Sequence, residues 1–480
     1  MPVSSSNLLG PKPTLASHVQ RTVLGPKFKV RVYVKGVWYA QIVATKVSGA
    51  IHAPLAATGC ETLDNWFGDT KTPLPGTRIG IGDAQRGLKV DNAAGHTVTL
   101  PPESVEATWP QSGGTPTHAP GNPAFAGALQ AVWTAKIGAP SGYRRRITAT
   151  PVVGGGRVFA MDSDAVVSAY DQRSGAQLWR TVTELPHTRS TNLGGGVALD
   201  GDTLYASTGL AALLALEAAT GKIRWRQALD APARAAPTVV GDRLYVPTLA
   251  EQLIAVAKAD GSHEWTYQGA PAMTSVLGLP SPAFADGLLV AGFGSGDLVC
   301  LRALSGAVSW SDGLASQGRD PLLDFSTITG LPAIADGSVY AVGLGGLFVS
   351  LDLRTGRRLW ERDVATSQSP WLAGDWLFVL TADQLLGAVN RSDASVPWVT
   401  QLPLFKKEKT KEGPLRWLGP VLAGGRLIVL GNSREALLVN PVSGAIMGRQ
   451  PLPAEPIVSP VVADRTMFMV GTDATLVALR

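Results

Sequence analysis

Cysteine is nearly missing from this sequence: 480 residues contain two, Cys60 and Cys300, 240 positions apart. That scarcity excludes a disulfide framework, a CxxC metal site and a CxxCH haem attachment, which all need closely spaced thiols. Long apolar runs are missing as well; none approaches the ~18 residues that a membrane-crossing helix requires. The six histidines (His18, His52, His96, His118, His187, His263) are scattered, with no i,i+4 pair and no HExxH, so a helix-borne zinc site is excluded. Glycine-rich runs at 154–156, 194–196 and 292–294 lie between β-like stretches rather than ahead of a helix. They read as hairpin turns, not phosphate cradles. A calcium site needs six to eight converging oxygens, whereas Asp162, Asp297, Asp383 and Asp473 recur at hairpin turns, where the short carboxylate bonds its own turn backbone. The sequence therefore offers no catalytic residues, no metal ligands and no cofactor site.

Charge is also sparse, at 16% of residues, and unevenly placed. The net charge is +5, yet residues 1–59 hold seven Lys/Arg and no acid, which leaves −2 from Cys60 onward. The basic excess belongs to the leader-like start, so the remainder carries no nucleic-acid footprint. Residues 1–59 read as a targeting leader or a mis-started stretch. They end in LAATGC, small residues running into Cys60, with Ala57 where a bacterial lipobox prefers Leu. Cys60 is thus either a lipidation site or an ordinary thiol after an Ala-rich stretch. Residues 60–128, rich in Pro, Gly, Thr and Asn and without a sustained period, read as an irregular tether.

What the chain has in abundance is a repeat. SVYAVGLGGLFVSLDLRTGRRLW, ending at Trp360, reads as a hairpin, a tight turn at Thr355-Gly356 and a further strand. The phrase recurs with Trp179, Trp225, Trp265, Trp310 and Trp398 at its end, and Gly448 takes that place in a worn copy. Successive tryptophans, counted from Trp133, lie 38 to 50 residues apart, the length of a four-stranded propeller blade. The 54 Gly and 34 Pro suit many short strands and turns.

Ring closure follows from the two ends of the repeat region. Residues 129–138 supply one outer strand ending near Trp133 with no blade before it, while 459–480 supply three strands and no fourth. Joined, they complete an eighth blade and remove the exposed edges a linear array would leave. Pro-headed inner strands begin at Pro151, Pro237, Pro282, Pro332, Pro370, Pro420 and Pro460, and a copy without Pro lies near Gly196-Val197. The expectation is an all-β chain with an eight-bladed β-propeller over 129–480. The tryptophans Trp133, Trp179, Trp225, Trp265, Trp310, Trp360 and Trp398 are expected to form a structural ladder over the seams between blades. Cys300, alternating with apolar neighbours in LVCLRAL, is expected in the core.

These repeats resemble the pyrroloquinoline-quinone-type (PQQ) propeller repeat. Together with GCETLDNWFGDTKTPLPG (59–76), WPQSGGTPTHA (109–119), RRRITATPVV (144–153) and SPWLAGDWLFVLTADQLLGAVNR (369–391), they are similar to the BamB-like lipoproteins of the outer-membrane β-barrel assembly machinery in their alphaproteobacterial form. That resemblance spans Cys60 to Arg480. It implies a non-catalytic scaffold on the periplasmic face of the outer membrane, anchored by lipid on Cys60. The implied partner is the barrel-assembly protein, bound through its POTRA domains, with nascent β-barrel proteins as further clients. Family contacts carried onto this chain fall at Arg234 in APARAAP and at Arg319, Asp324, Phe325 and Ser326 around LLDFST, with Ser326 where relatives often have a second acid. The competing readings are a PQQ- and calcium-dependent oxidoreductase using the central channel and a propeller that senses a small ligand. The first conflicts with the absence of the vicinal Cys pair that such enzymes typically use.

Overall fold

The computed structural model describes the side chains of residues 88–91, 97–125, 127–143, 145–184, 192, 194–272, 278–314 and 327–480, and the backbone of three earlier strands. Those strands, Ser17–Leu24, Lys27–Val34 and Val37–Thr45, form an antiparallel meander. They belong to a unit spanning Met1–Arg78; a second unit spans Ile79–Arg480. Within the leader-like stretch the chain thus has a sheet that the sequence reading did not anticipate.

The second unit is the propeller. Eight four-stranded antiparallel sheets follow one another, and every described element is a strand. Blades 1 to 7 occupy 152–181, 195–228, 238–268, 283–313, 333–363, 371–401 and 417–451. Blade 8 takes its three inner strands from Val461–Ala463, Thr466–Val470 and Thr475–Leu479, and its outer strand from Ala131–Lys136. The register runs Thr475↔Lys136 to Leu479↔Ala131, so the expected closure by both ends is present. Middle strands such as Arg157–Met161 and Val167–Asp171 are buried almost throughout, while outer strands such as Gln177–Thr181 bury mainly the tryptophan. This contrast follows from position: middle strands are covered by neighbouring blades on both faces, and outer strands lie at the rim. Cys300 is fully buried in the blade 4 to 5 core, and burial pushes its thiol pKa up to about 12.

Each ladder tryptophan donates its indole N–H to a backbone carbonyl of the next blade, at 2.7–3.2 Å: Trp133 to Gln172, Trp179 to Ala218, Trp225 to Lys258, Trp265 to Ala303, Trp310 to Leu353, Trp360 to Arg391 and Trp398 to Pro441. Inside its own blade the ring of every ladder tryptophan except Trp310 meets an aromatic of the second strand, as in Phe159–Trp179, Tyr245–Trp265 and Phe378–Trp398. The indole therefore links one blade to the next by a hydrogen bond and by area.

The segment read as a tether extends the domain inward. Its longest described stretch, 97–125, is irregular because, apart from a few internal bonds such as Ala124 to Ser104, its backbone groups pair with other segments in turn. Asp464 donates to Glu106 at 2.6 Å in blade 8, and Trp109 and Val153 exchange a pair of bonds at 2.8 and 2.9 Å in blade 1. Leu199 donates to Pro110 in blade 2, and Val239 to the Gln111 side chain in blade 3. Phe284 donates to Pro116 in blade 4 and Ile334 to Thr117 in blade 5. Gly121 donates to Leu372 in blade 6, and Gly424 donates to Pro123 in blade 7. Residues 106–123 thus visit all eight blades in ring order and pair with inner-strand edges that would otherwise be left open. Trp109, 4% exposed, stacks on Trp371 with ring centres 6.1 Å apart. The propeller unit consequently begins well before Leu129, and 97–125 is a brace across the channel.

Candidate functional site

Described residues of the connections from outer strands to the next inner strands meet around a cavity of about 650 Å³. Its floor is the brace, through Trp109, Ser112, Gly113, His118 and Pro120. Its wall comes from residues entering the inner strands, including Pro280, Pro370 and Pro420. Pro370 has a local reason: fixed φ suits the start of an extended strand, and its missing N–H sits just before the ladder of Trp371–Ala373, while Pro420 falls at the register break between Leu418 and Val421. The result is a funnel floored by the brace.

Arg234 is in the funnel wall and only 3% exposed. Its backbone N–H donates to Pro247 at 2.9 Å. Burial lowers the guanidinium pKa, and the charge of Glu251 works against that shift. Glu251 is itself buried; desolvation raises its pKa, while a 2.7 Å bond from the Gly294 N–H and the charge of Arg234 pull it back down. Arg234 is therefore a buried cation within reach of the charge of Glu251, and a partner touching it must reach into the mouth of the funnel.

The other sequence-derived contacts, Arg319, Asp324, Phe325 and Ser326, lie outside the described residues, as does Cys60. The lysine-rich run 406–412 forms a two-stranded hairpin, Phe405–Lys407 with Glu412–Pro414, closed by a 2.8 Å Lys407–Glu412 ion pair. Among the turn aspartates, Asp162 accepts the Asp164, Val166 and Ala139 N–H groups at 2.9 Å, and Asp473 accepts from Thr475. Among the described residues no group of three or more His, Cys, Asp or Glu converges as a metal site would require.

Sequence reasoning did not assemble the rest of the funnel. Arg146 and Arg416 line it beside Arg234, and each of the three lies three to five residues ahead of an inner-strand proline. That offset is the signal that could have found them. His118 donates from Nδ1 to the Pro332 carbonyl at 2.8 Å, and burial lowers its pKa to about 4, so the ring is neutral. Its Nε2, like Thr148 Oγ1, is buried with no hydrogen-bond partner among the described residues.

A family model described as outer membrane protein assembly factor BamB matches residues 163–400. BamB of Yersinia pestis is 26% identical over 355 residues, covering 72% of this chain and 88% of the relative. BamB of Burkholderia pseudomallei is 26% identical over 356 residues, covering 73% and 88%. Among solved structures, BamB from Moraxella catarrhalis superposes with a TM-score of 0.60 at 19% identity, over 72% of this chain and all of that one. Quinohemoprotein alcohol dehydrogenase from Comamonas testosteroni gives 0.61 at 14% identity, over 78% and 80%. At such identities the structural likeness establishes the fold alone.

Proposed function

Because the chain is BamB-like, we propose that it is a non-catalytic scaffold for outer-membrane protein assembly, working at the periplasmic face of the outer membrane. The observation carrying this reading is the match to assembly factors over about seven tenths of the chain. An eight-bladed ring with one loop-bearing face supports it, since rigid scaffolds present recognition loops in this way. The partner is the barrel-assembly protein, held through its POTRA domains. Contact is made by the 319–326 segment with Arg319, Asp324, Phe325 and Ser326, and by Arg234 at the funnel mouth; nascent barrel strands are further clients. The anchor is acylated Cys60, and several acyl chains make attachment stable where one is marginal.

Affinity capture with the full-length chain from solubilised membranes tests the assignment. A POTRA-bearing barrel protein should be recovered, and repeated failure with folded bait would overturn it. Asp324→Lys is the cleaner interface probe and should weaken capture at unchanged thermal stability. Arg234→Glu would instead place a second carboxylate beside buried Glu251 and unsettle the fold. Mass spectrometry of the mature N-terminus should find diacylglyceryl-Cys60; an unmodified thiol there would remove the anchor from the proposal.

A second reading, a quinone- and calcium-dependent oxidoreductase, draws on the fold shared with the quinohemoprotein dehydrogenase. Dye-linked alcohol oxidation after incubation with PQQ and Ca²⁺ separates the two, and the scaffold reading expects none.

A further inference from the structure

The funnel has a chemistry that scaffolding alone does not call for. Three arginines, Arg146, Arg234 and Arg416, line a cavity of about 650 Å³, and no acid is among the described residues of its lining. The volume falls within the roughly 300–1,000 Å³ usual for small-molecule sites. The three come from the segments entering blades 1, 3 and 7, so the positive charge is distributed around the mouth rather than stacked at one point. The charge of Glu251 acts on Arg234, whose pKa burial lowers. Arg146 and Arg416 are exposed and make no ion pair among the described residues. Charges of one sign inside a concave, poorly solvated wall reinforce each other's field and concentrate the opposite ion.

The rest of the lining fits a bound molecule rather than open solvent. Leu279, Leu331, Leu418, Ile457 and Val458 give the walls apolar area. Brace residues form its floor, opposite the segments that enter the inner strands.

We propose that the funnel is a binding site for a small molecule carrying two or more oxyanion groups, carboxylate or phosphate, held by the guanidinium forks of Arg146 and Arg416 with Arg234 deeper in the wall. Guanidinium is suited to this because its planar donors match both anions in paired hydrogen bonds. The assignment does not depend on the assembly role, and either can fail without the other.

Isothermal titration calorimetry of the full chain at constant ionic strength tests it, with citrate and inorganic phosphate as probes. Saturable one-site binding is expected for at least one; citrate alone points to a carboxylate ligand, and phosphate alone to a phosphate ester. Arg146→Gln with Arg416→Gln should weaken binding about tenfold or more, and each single change about threefold, which serves if the double variant does not fold. Arg173→Gln with Arg449→Gln, both outside the funnel lining, should leave it unchanged. No saturable heat with either probe at about 10 mM, or equal losses in the funnel and control variants, overturns the proposal.

Discussion

Six of the seven ladder tryptophans, all but Trp360, work in partnership with glycines of the following blade. A Cβ added at Gly175, Gly221, Gly261, Gly306, Gly356 or Gly444 would lie 2.4–2.8 Å from the tryptophan of the blade before, and each of these glycines has φ between 70° and 75°. Glycine is required there twice, for the left-handed turn and for the indole lying over it. Gly221→Ala should therefore cost about 2–4 kcal/mol, combining left-handed strain with overpacking against Trp179, read from chemical denaturation. Gly448→Ala, where nothing lies within 4 Å, should stay within about 0.5 kcal/mol. Blade 7 has no tryptophan for a reason visible in the topology. The partner site is the turn between the third and fourth strands of the next blade, and blade 8 has no such turn because its third strand ends near Arg480 and its fourth is Ala131–Lys136. The Trp–Gly spacing was legible in the sequence because it recurs; the reason for the missing copy was not, since it depends on which strands pair.

At the scale of elements, the brace is where sequence reading fell short. Its backbone serves eight different partners in turn, so it has no period of its own, and a lack of period looks like a tether. The funnel arginines were equally hard to connect, coming from three blades more than 80 residues apart at each step. Arg234 could be singled out by resemblance, but its burial beside Glu251 could not. His118 gives the brace a pH signature. Its folded pKa of about 4 lies below the ordinary 6.5, so the unfolded chain binds the extra proton first. The stability is complete above about pH 6.5 and falls as pH drops toward 4, by up to about 3 kcal/mol. His118→Asn, which can keep a donor toward Pro332, should flatten that part of the pH–stability curve in urea titrations. An unchanged slope between pH 6.5 and 4.5 would show that the ring is not what loosens in acid.

For the molecule as a whole, the repeat length, blade number and manner of closure were all readable, because each blade restates the same alternation and the two ends supply complementary remainders. Closure also makes a prediction. A chain beginning at Ile137 lacks both the brace and the fourth strand of blade 8, leaving Thr475–Leu479 as a bare edge. It should elute as aggregate in size-exclusion chromatography, where the full chain elutes as a discrete species. The pairing of Lys136 with Thr475, 339 residues apart, also sets an order of events. A propeller whose first strand waits for its last cannot lock while the ribosome is still extending it. Such a chain stays threadable until its final residues are made, and its ring closes only after synthesis has ended.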